Sequence, residues 1–271
     1  MKVAIVHYHL RRGGVTRVIQ HALEALQARS VDFAVLSGEG VPAGMLPEDV
    51  PWTVVPGLGY GDSVPAGLSA TILADKLEQE AAYLLGSAPD VWHIHNPTLG
   101  KNPLLWQAIA MLAERGRALL LQPHDFAEDG RPPNYALLRE ASHTCGRSLN
   151  EGLYPVGNAV HYALLNHRDF ECLTAAGLPP DNATVLGNAV TRPDLEASDK
   201  AGTTDKQLIV YPTRAIRRKN IGEAILLAAV WKTLGKPVEV AITLAPANPE
   251  WQAAYRQWVT LAQDLNLPVR F

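Results

Sequence analysis

Val3-Ala4-Ile5-Val6-His7-Tyr8-His9-Leu10-Arg11-Arg12-Gly13-Gly14-Val15-Thr16 passes from a short apolar run through a double glycine into a new periodicity. Val3 to Tyr8 contains β-branched residues and fits a parallel strand buried on both faces. Arg11 to Gly14 breaks it. Val15, Val18, Ile19, Ala22, Leu23 and Leu26 then recur at i, i+3, i+4, i+7, i+8 and i+11, the apolar face of an amphipathic helix. Val31 to Leu36 returns as a strand, so the chain opens as strand, glycine turn, helix, strand.

The alternation continues downstream. Trp52 to Val55 reads as a strand, Ala66 to Leu85 as a helix, and Val91 to His95 as a strand after an Ala88-Pro89-Asp90 turn. A helix is expected over about Pro103 to Arg115, a strand over Ala118 to Gln122, and a last strand near Thr184 to Gly187. Repeated βα units specify a parallel sheet covered by helices on both faces. Thr191 to Lys206 is polar, with a Pro, a Gly and no long apolar period, and reads as a linker. The pattern then restarts. Gln207 to Tyr211 is a strand, and Asn220 begins a helix to about Thr233, with Asn220-Ile221-Gly222-Glu223 as a capping box. Val238 to Leu244 is a strand, Pro249 to Gln263 a helix, and Pro268 to Phe271 the start of another strand. The expected organisation is a first domain over 1–190, a linker over 191–206, and a second domain begun over 207–271. Its two complete βα pairs read as a domain cut short.

Composition narrows the classes. At roughly 150 residues per domain, 271 residues make one large domain or two modest ones. Apolar residues at 47% and charged residues at 19% exclude a disordered chain. A net charge of −3 leaves no global basic field for a nucleic-acid backbone. Two cysteines, Cys145 and Cys172, are too few for a disulfide framework. The longest apolar stretch, Ala224 to Trp231, is eight residues against about 20 for a membrane span. The N-terminus lacks the apolar core and cleavage site of a secretory signal, so the expected address is cytoplasmic. Hydropathy leaves a peripheral membrane contact open, and nothing in the sequence fixes an oligomeric state.

Three features carry chemistry. Gly13 and Gly14, between a strand and a helix start, let a backbone approach an anion that free N–H groups and the helix dipole favour. The alternative is a tight turn with no ligand. The dinucleotide fingerprint G-x-G-x-x-G is absent, which disfavours a nicotinamide-dependent oxidoreductase. Second, Arg214, Arg217, Arg218 and Lys219 crowd a strand end and helix start, a local anion site or else a solvated charge run. Third, His7, His9, His93, His95 and His124 fall at strand ends, which share one edge in a parallel sheet. Neutral imidazoles there suit hydroxyl-rich ligands. A metal on His93, His95, His124 and Asp125 is the other reading, though no third spaced ligand or Cys pair supports it. No Asp-x-Asp is present to hold Mn²⁺ or Mg²⁺ against a diphosphate.

In their order and spacing these features resemble the retaining GT-B glycosyltransferases of the glycogen-synthase-like group, family 4. The residues that carry the resemblance are Gly13-Gly14, Asp90-Val91-Trp92-His93-Ile94-His95-Asn96, Gln122-Pro123-His124-Asp125, Val185-Leu186-Gly187-Asn188-Ala189-Val190 and Arg214-x-x-x-x-Lys219. The resemblance implies two Rossmann-like domains facing a cleft. It implies transfer of a sugar from a UDP-, GDP- or ADP-sugar to an acceptor hydroxyl, with retained configuration and with neither cofactor nor essential metal. Arg214 and Lys219, with Gly13 and Gly14, would hold the donor diphosphate. His124 and Asp125 would stand at the reacting centre, and His9, His95, Asn96, Glu128 and Asn134 on the acceptor or sugar side. The family's Glu-x₇-Glu pair is not found after Lys219, where Glu223, Glu239 and Glu250 have the wrong spacing. A sugar- or nucleotide-binding subunit without turnover is therefore the competing expectation.

Overall fold

A computed structural model describes residues 1–191, 206–246 and 249–271. The chain divides into two compact units, Met1–Thr191 and Arg192–Phe271. The expected linker lies outside the described residues except for its two ends.

In the first unit, β1 (Lys2–His7), β2 (Asp32–Ser37), β3 (Trp52–Val54), β4 (Val91–His95), β5 (Leu119–Gln122), β6 (Val160–Leu164) and β7 (Ala183–Val185) form one sheet. Its order is β3-β2-β1-β4-β5-β6-β7, and every described pairing in it is parallel. Successive side chains on a strand point to opposite faces, so β1 feeds two cores. Ala4 and Val6 join Leu36, Ile94 and Leu121 against α2 (Ala70–Leu85) and α3 (Leu105–Glu114). Val3 and Ile5 join Val35 against Ile19 and Leu23 of α1 (Gly14–Gln27). Each such Leu or Ile is worth about 1.5–3 kcal/mol when fully buried, and this two-sided burial selects the parallel sheet.

Local chemistry moves several helix starts from their expected places. α2 begins at Ala70 rather than Ala66, because Ser69 Oγ accepts from Ile72 N at 3.2 Å. α3 begins at Leu105 because Asn102 Oδ1 accepts from the backbone of Leu104 and Leu105 at 2.8 and 3.2 Å. β6 and the helices α4 (Pro132–Cys145), α5 (Leu149–Leu153) and α6 (His167–Ala175) carry no expectation from the sequence.

The second unit holds a three-stranded parallel sheet, ordered β10-β9-β8, from β8 (Gln207–Arg214), β9 (Val238–Leu244) and β10 (Val269–Arg270). α7 (Ile221–Thr233) packs Ile221, Ile225 and Ala228 on Val240 and Ile242, and α8 (Pro249–Asp264) completes the described helices. β8 runs three residues past its expected end, through Pro212. An edge strand tolerates proline, and its register shifts between Tyr211 and Arg214. The capping box does not form. Asn220 sits at φ 48, left-handed, after a short 3₁₀ turn over Arg217–Lys219, and its side chain caps nothing. Among the described residues no helix is long and apolar enough to cross a membrane, and Cys145 and Cys172 are unpaired and exposed.

Candidate functional site

β1 turns left to β2 and β3, while β4 opens the run to the right, so the strand order reverses between β1 and β4. Ligands of open α/β sheets bind at the carboxyl ends of the strands flanking such a reversal. His7 ends β1, His95 ends β4, and His124 follows β5, the strand next to β4. The five histidines do come together there. The ring centroids of His7 and His9 are 5.5 Å apart, His7 and His95 6.4 Å, His93 and His95 4.1 Å, and His95 and His124 5.4 Å.

Their hydrogen bonds differ. His7 Nδ1 donates to His95 O at 3.2 Å, and His93 Nε2 meets Gln122 Oε1 at 2.9 Å. His95 Nδ1 and His124 Nε2 are 3.1 Å apart, while His95 Nε2 is buried without a partner. His9 Nδ1 accepts weakly from Arg11 N at 3.4 Å, which leaves Nε2 to donate to Tyr60 Oη at 3.0 Å. Burial drives every one of the five toward the neutral form. It lowers His7 to about 3 and His124 to about 4, and it lowers His9, His93 and His95 as well. The result is a polar edge without charge on its imidazoles. Among the described residues no group of three or more His, Cys, Asp or Glu is placed to hold a metal ion.

Asn96 organises the turn after β5. At φ 58 it adopts the left-handed conformation that asparagine tolerates better than most residues. Its Oδ1 accepts from the backbone N–H of His124 and Asp125 at 3.2 and 2.9 Å, and its Nδ2 donates to Asp125 Oδ2 at 3.3 Å. Arg131 pairs with Asp125 Oδ1, so both carboxylate oxygens of Asp125 are engaged. Asn134 is equally committed, donating to Leu99 O at 2.8 Å. Glu128 is exposed and accepts from Tyr154 Oη at 3.1 Å. It rims a cavity of about 800 Å³ floored by Phe126, Tyr154, Leu173 and Leu178, which contains none of the histidines.

Gly13 and Gly14 stand at the start of α1. Gly13 is fully extended, a Cβ there would meet nothing nearer than Arg11 O at 3.7 Å, and a Cβ on Gly14 would meet open space. The fold itself does not require glycine at either position. The opposite holds at Gly38, where a Cβ would lie 2.1 Å from Gly59 N. That close approach brings the loop of Tyr60 to His9, and Lys101 Nζ sits 5.7 Å from the centre of the Tyr60 ring. Tyr60 and Lys101 were not among the expected site residues. The spaced glycines of Gly57-Leu58-Gly59-Tyr60-Gly61 were the available signal.

In the second unit the turn from β8 to α7 carries Arg214, Arg217, Arg218 and Lys219. Tyr211 Oη donates to Lys219 O at 2.8 Å and pins the turn. Among the described residues none of these four cations makes an ion pair or a side-chain hydrogen bond, and Arg214 is exposed.

Comparison with known proteins adds three findings. The profile of the glycosyl transferase 4-like domain matches residues 13–189. The mannosylglucosyl-3-phosphoglycerate synthase of Petrotoga mobilis is 30% identical over 281 residues, covering 94% of this chain and 52% of that protein. The chain thus spans about half the length of that curated relative. In fold, the chain is similar to a glycosyltransferase from Rickettsia africae ESF-5, with a TM-score of 0.62 at 12% identity over 99% of this chain and 67% of that one. It is also similar to the catalytic domain of starch synthase IV from Arabidopsis thaliana, solved with ADP and acarbose, with a TM-score of 0.58 at 12% identity over 99% and 73%. The fold is the GT-B type that the sequence leads one to expect.

Proposed function

From the premise that this chain belongs to the glycosyl transferase 4-like family, we propose that it moves a sugar from a nucleotide-sugar donor to an acceptor hydroxyl. The observation that carries the donor assignment is the turn of four cations with no counter-ion among the described residues, set against the start of α7. Like charge at a helix N-terminus is unfavourable, and a diphosphate relieves it.

In this reading the acceptor oxygen forms the new bond to the anomeric carbon on the face the diphosphate leaves, and its proton passes to the departing diphosphate oxygen. The bond from that carbon to the diphosphate oxygen breaks, and the nucleoside diphosphate leaves. Arg214 and Lys219 stabilise the charge that develops on the leaving group, the task a metal performs elsewhere, so the reaction needs no essential metal and no cofactor. The extended backbone at Gly13 and Gly14 leaves room for the phosphates or the reacting sugar. His124 contacts the donor sugar, and Asp125, tied to Arg131 and Asn96, holds the turn that presents it. His9 lines the same polar edge, with the buried His95 behind His124 and Glu128 toward the acceptor. Retention of configuration is part of the proposal and follows the family resemblance. The relative's name points to a phosphoglycerate-bearing sugar as the first acceptor to try, with UDP-, GDP- and ADP-sugars as donors. Binding without turnover is the second reading.

Titration with UDP, GDP and ADP tests the donor site. One of them should bind, and Lys219→Ala should weaken it about ten- to a hundredfold, from the 1.5–3 kcal/mol of a charged hydrogen bond. Equal affinity in wild type and the Arg214→Ala/Lys219→Ala double variant, with the fold intact by circular dichroism, refutes the donor assignment. Mass-spectrometric detection of a glycosylated acceptor separates turnover from binding alone.

A further inference from the structure

The hydrogen bond between His95 and His124 joins two neutral rings, so one nitrogen of the pair must donate and the other accept. The direction can be read from the other end of His95. Its Nε2 is buried and has no partner among the described residues. Orphaned N–H groups are rarer in folded proteins than unfilled acceptor sites, so the lower-cost arrangement leaves Nε2 bare. The single proton of His95 then sits on Nδ1, where His124 Nε2 is 3.1 Å away.

We infer that His95 is a positioning residue that donates from Nδ1 to His124 Nε2 and thereby holds His124 in the Nδ1–H tautomer. Three further contacts fix the geometry in which it does so. His7 donates to His95 O, His93 is anchored by Gln122, and Asn96 holds the backbone of His124 and Asp125. His124 Nδ1 has no hydrogen-bond partner among the described residues, and the residue is only partly buried. What His124 presents outward is therefore a hydrogen-bond donor. A ring protonated on its outward nitrogen cannot accept a proton there, so His124 recognises a lone pair on a hydroxyl or ring oxygen and does not act as a base through Nδ1. The tautomer follows from this geometry and the neutrality of the two rings. Its consequence for a sugar ligand rests on the donor-sugar role proposed for His124.

Nitrogen-15 spectra of the full chain test the tautomer directly, with His124 assigned by the signals lost in His124→Gln. Wild type should show a protonated Nδ1 and a bare Nε2 at His124. His95→Asn, whose amide can occupy the place of the ring Nδ1–H, should keep that pattern. His95→Ala should let His124 drift toward the Nε2–H form that free imidazole side chains favour. A bare Nδ1 on His124 in wild type overturns the inference, and this measurement stands even if the alanine variant fails to fold. Titrations of UDP-glucose, GDP-mannose and ADP-glucose, each against its own nucleoside diphosphate, test the consequence separately. His95→Ala should erode the advantage of the sugar nucleotide by about three- to tenfold, and His95→Asn should restore it. The expected tautomer with no change in that advantage upholds the inference about His95 and rejects the donor-sugar role of His124.

Discussion

Lowering the pH from 6.5 should destabilise the protein steeply, because its buried histidines refuse protons that the unfolded chain accepts. In the unfolded chain His7 and His124 titrate near 6.5, whereas burial in the first unit holds them at about 3 and about 4. Above 6.5 neither state is protonated at these positions, and stability does not depend on them. Below it only the unfolded chain takes up the protons, so stability is lost as pH falls, down to about 4 for His124 and about 3 for His7. Each unmatched proton gives a slope approaching about 1.4 kcal/mol per pH unit, and the two together about twice that. His9, His93 and His95 are shifted the same way and steepen it further. Against a typical domain stability of about 5–15 kcal/mol, one or two pH units then become decisive.

Urea unfolding at several pH values between about 7.5 and 5 measures the slope above the range where most carboxylates titrate. Buried Trp92 and Trp106 report on the first unit through tryptophan fluorescence. His7→Asn supplies the control. Its amide can still donate to His95 O, but it cannot titrate, so the slope should fall by about 1.4 kcal/mol per pH unit. A free energy of unfolding that stays flat from pH 7 to 5 refutes the reasoning. So does a His7→Asn variant with the wild-type slope.

Asn96→Ala removes the acceptor for two backbone N–H groups and puts a residue with a Cβ at φ 58, at a cost of about 2–4 kcal/mol in urea unfolding. Asn96→Gly should recover only the backbone part of that cost. Gly13→Ala should change stability by less than about 1 kcal/mol, since the backbone there is extended and the new methyl meets nothing closer than 3.7 Å. The same variant should weaken sugar-nucleotide binding in titration calorimetry, and unchanged affinity would remove the turn from the site. Binding and turnover should survive EDTA, and loss restored by added Mn²⁺ would return the histidines to consideration as metal ligands.

What could be read from the sequence was set by how strongly each segment had to be buried. β1 and β5 are nearly continuous apolar runs, and β4 alternates buried Trp92 and Ile94 with its two histidines, as a sheet covered on both faces demands. Their order also placed five histidines on one edge, since parallel strands share a carboxyl end. β6, Val160-His161-Tyr162-Ala163-Leu164, was as legible as β4 by that measure, with one histidine against two. α4 escaped because it buries only Asn134 and Leu138 and shows little apolar face. The capping box failed for a different reason. Residue types at the right spacing cannot reveal that Asn220 has already turned left-handed. Partners far apart in sequence were equally hidden. Tyr60 reaches His9 across 51 residues only because Gly38 and Gly59 allow two backbones to touch.

The two units treat charge in opposite ways, and this bears on the kind of ligand group each one suits. At the edge of the first unit the imidazoles are neutral, and two nearby cations are already matched, Arg11 by Glu39 and Arg131 by Asp125. Such a surface offers directed donors and acceptors without a net field. It suits hydroxyl groups, which gain little from charge but lose much when a buried partner is left unmade. The turn before α7 does the reverse, gathering four cations with neither an ion pair nor a side-chain hydrogen bond among the described residues. A ligand with several negative oxygens would relieve that crowding. Under the proposed function, a change of charge in either unit should weaken ligand binding without loss of fold. Arg131→Gln is the informative case. It leaves Asp125 without its cation, so an unbalanced negative charge should remain at the histidine edge. That change should raise the His124 pKa from about 4 in an NMR titration and weaken a sugar nucleotide more than a free sugar.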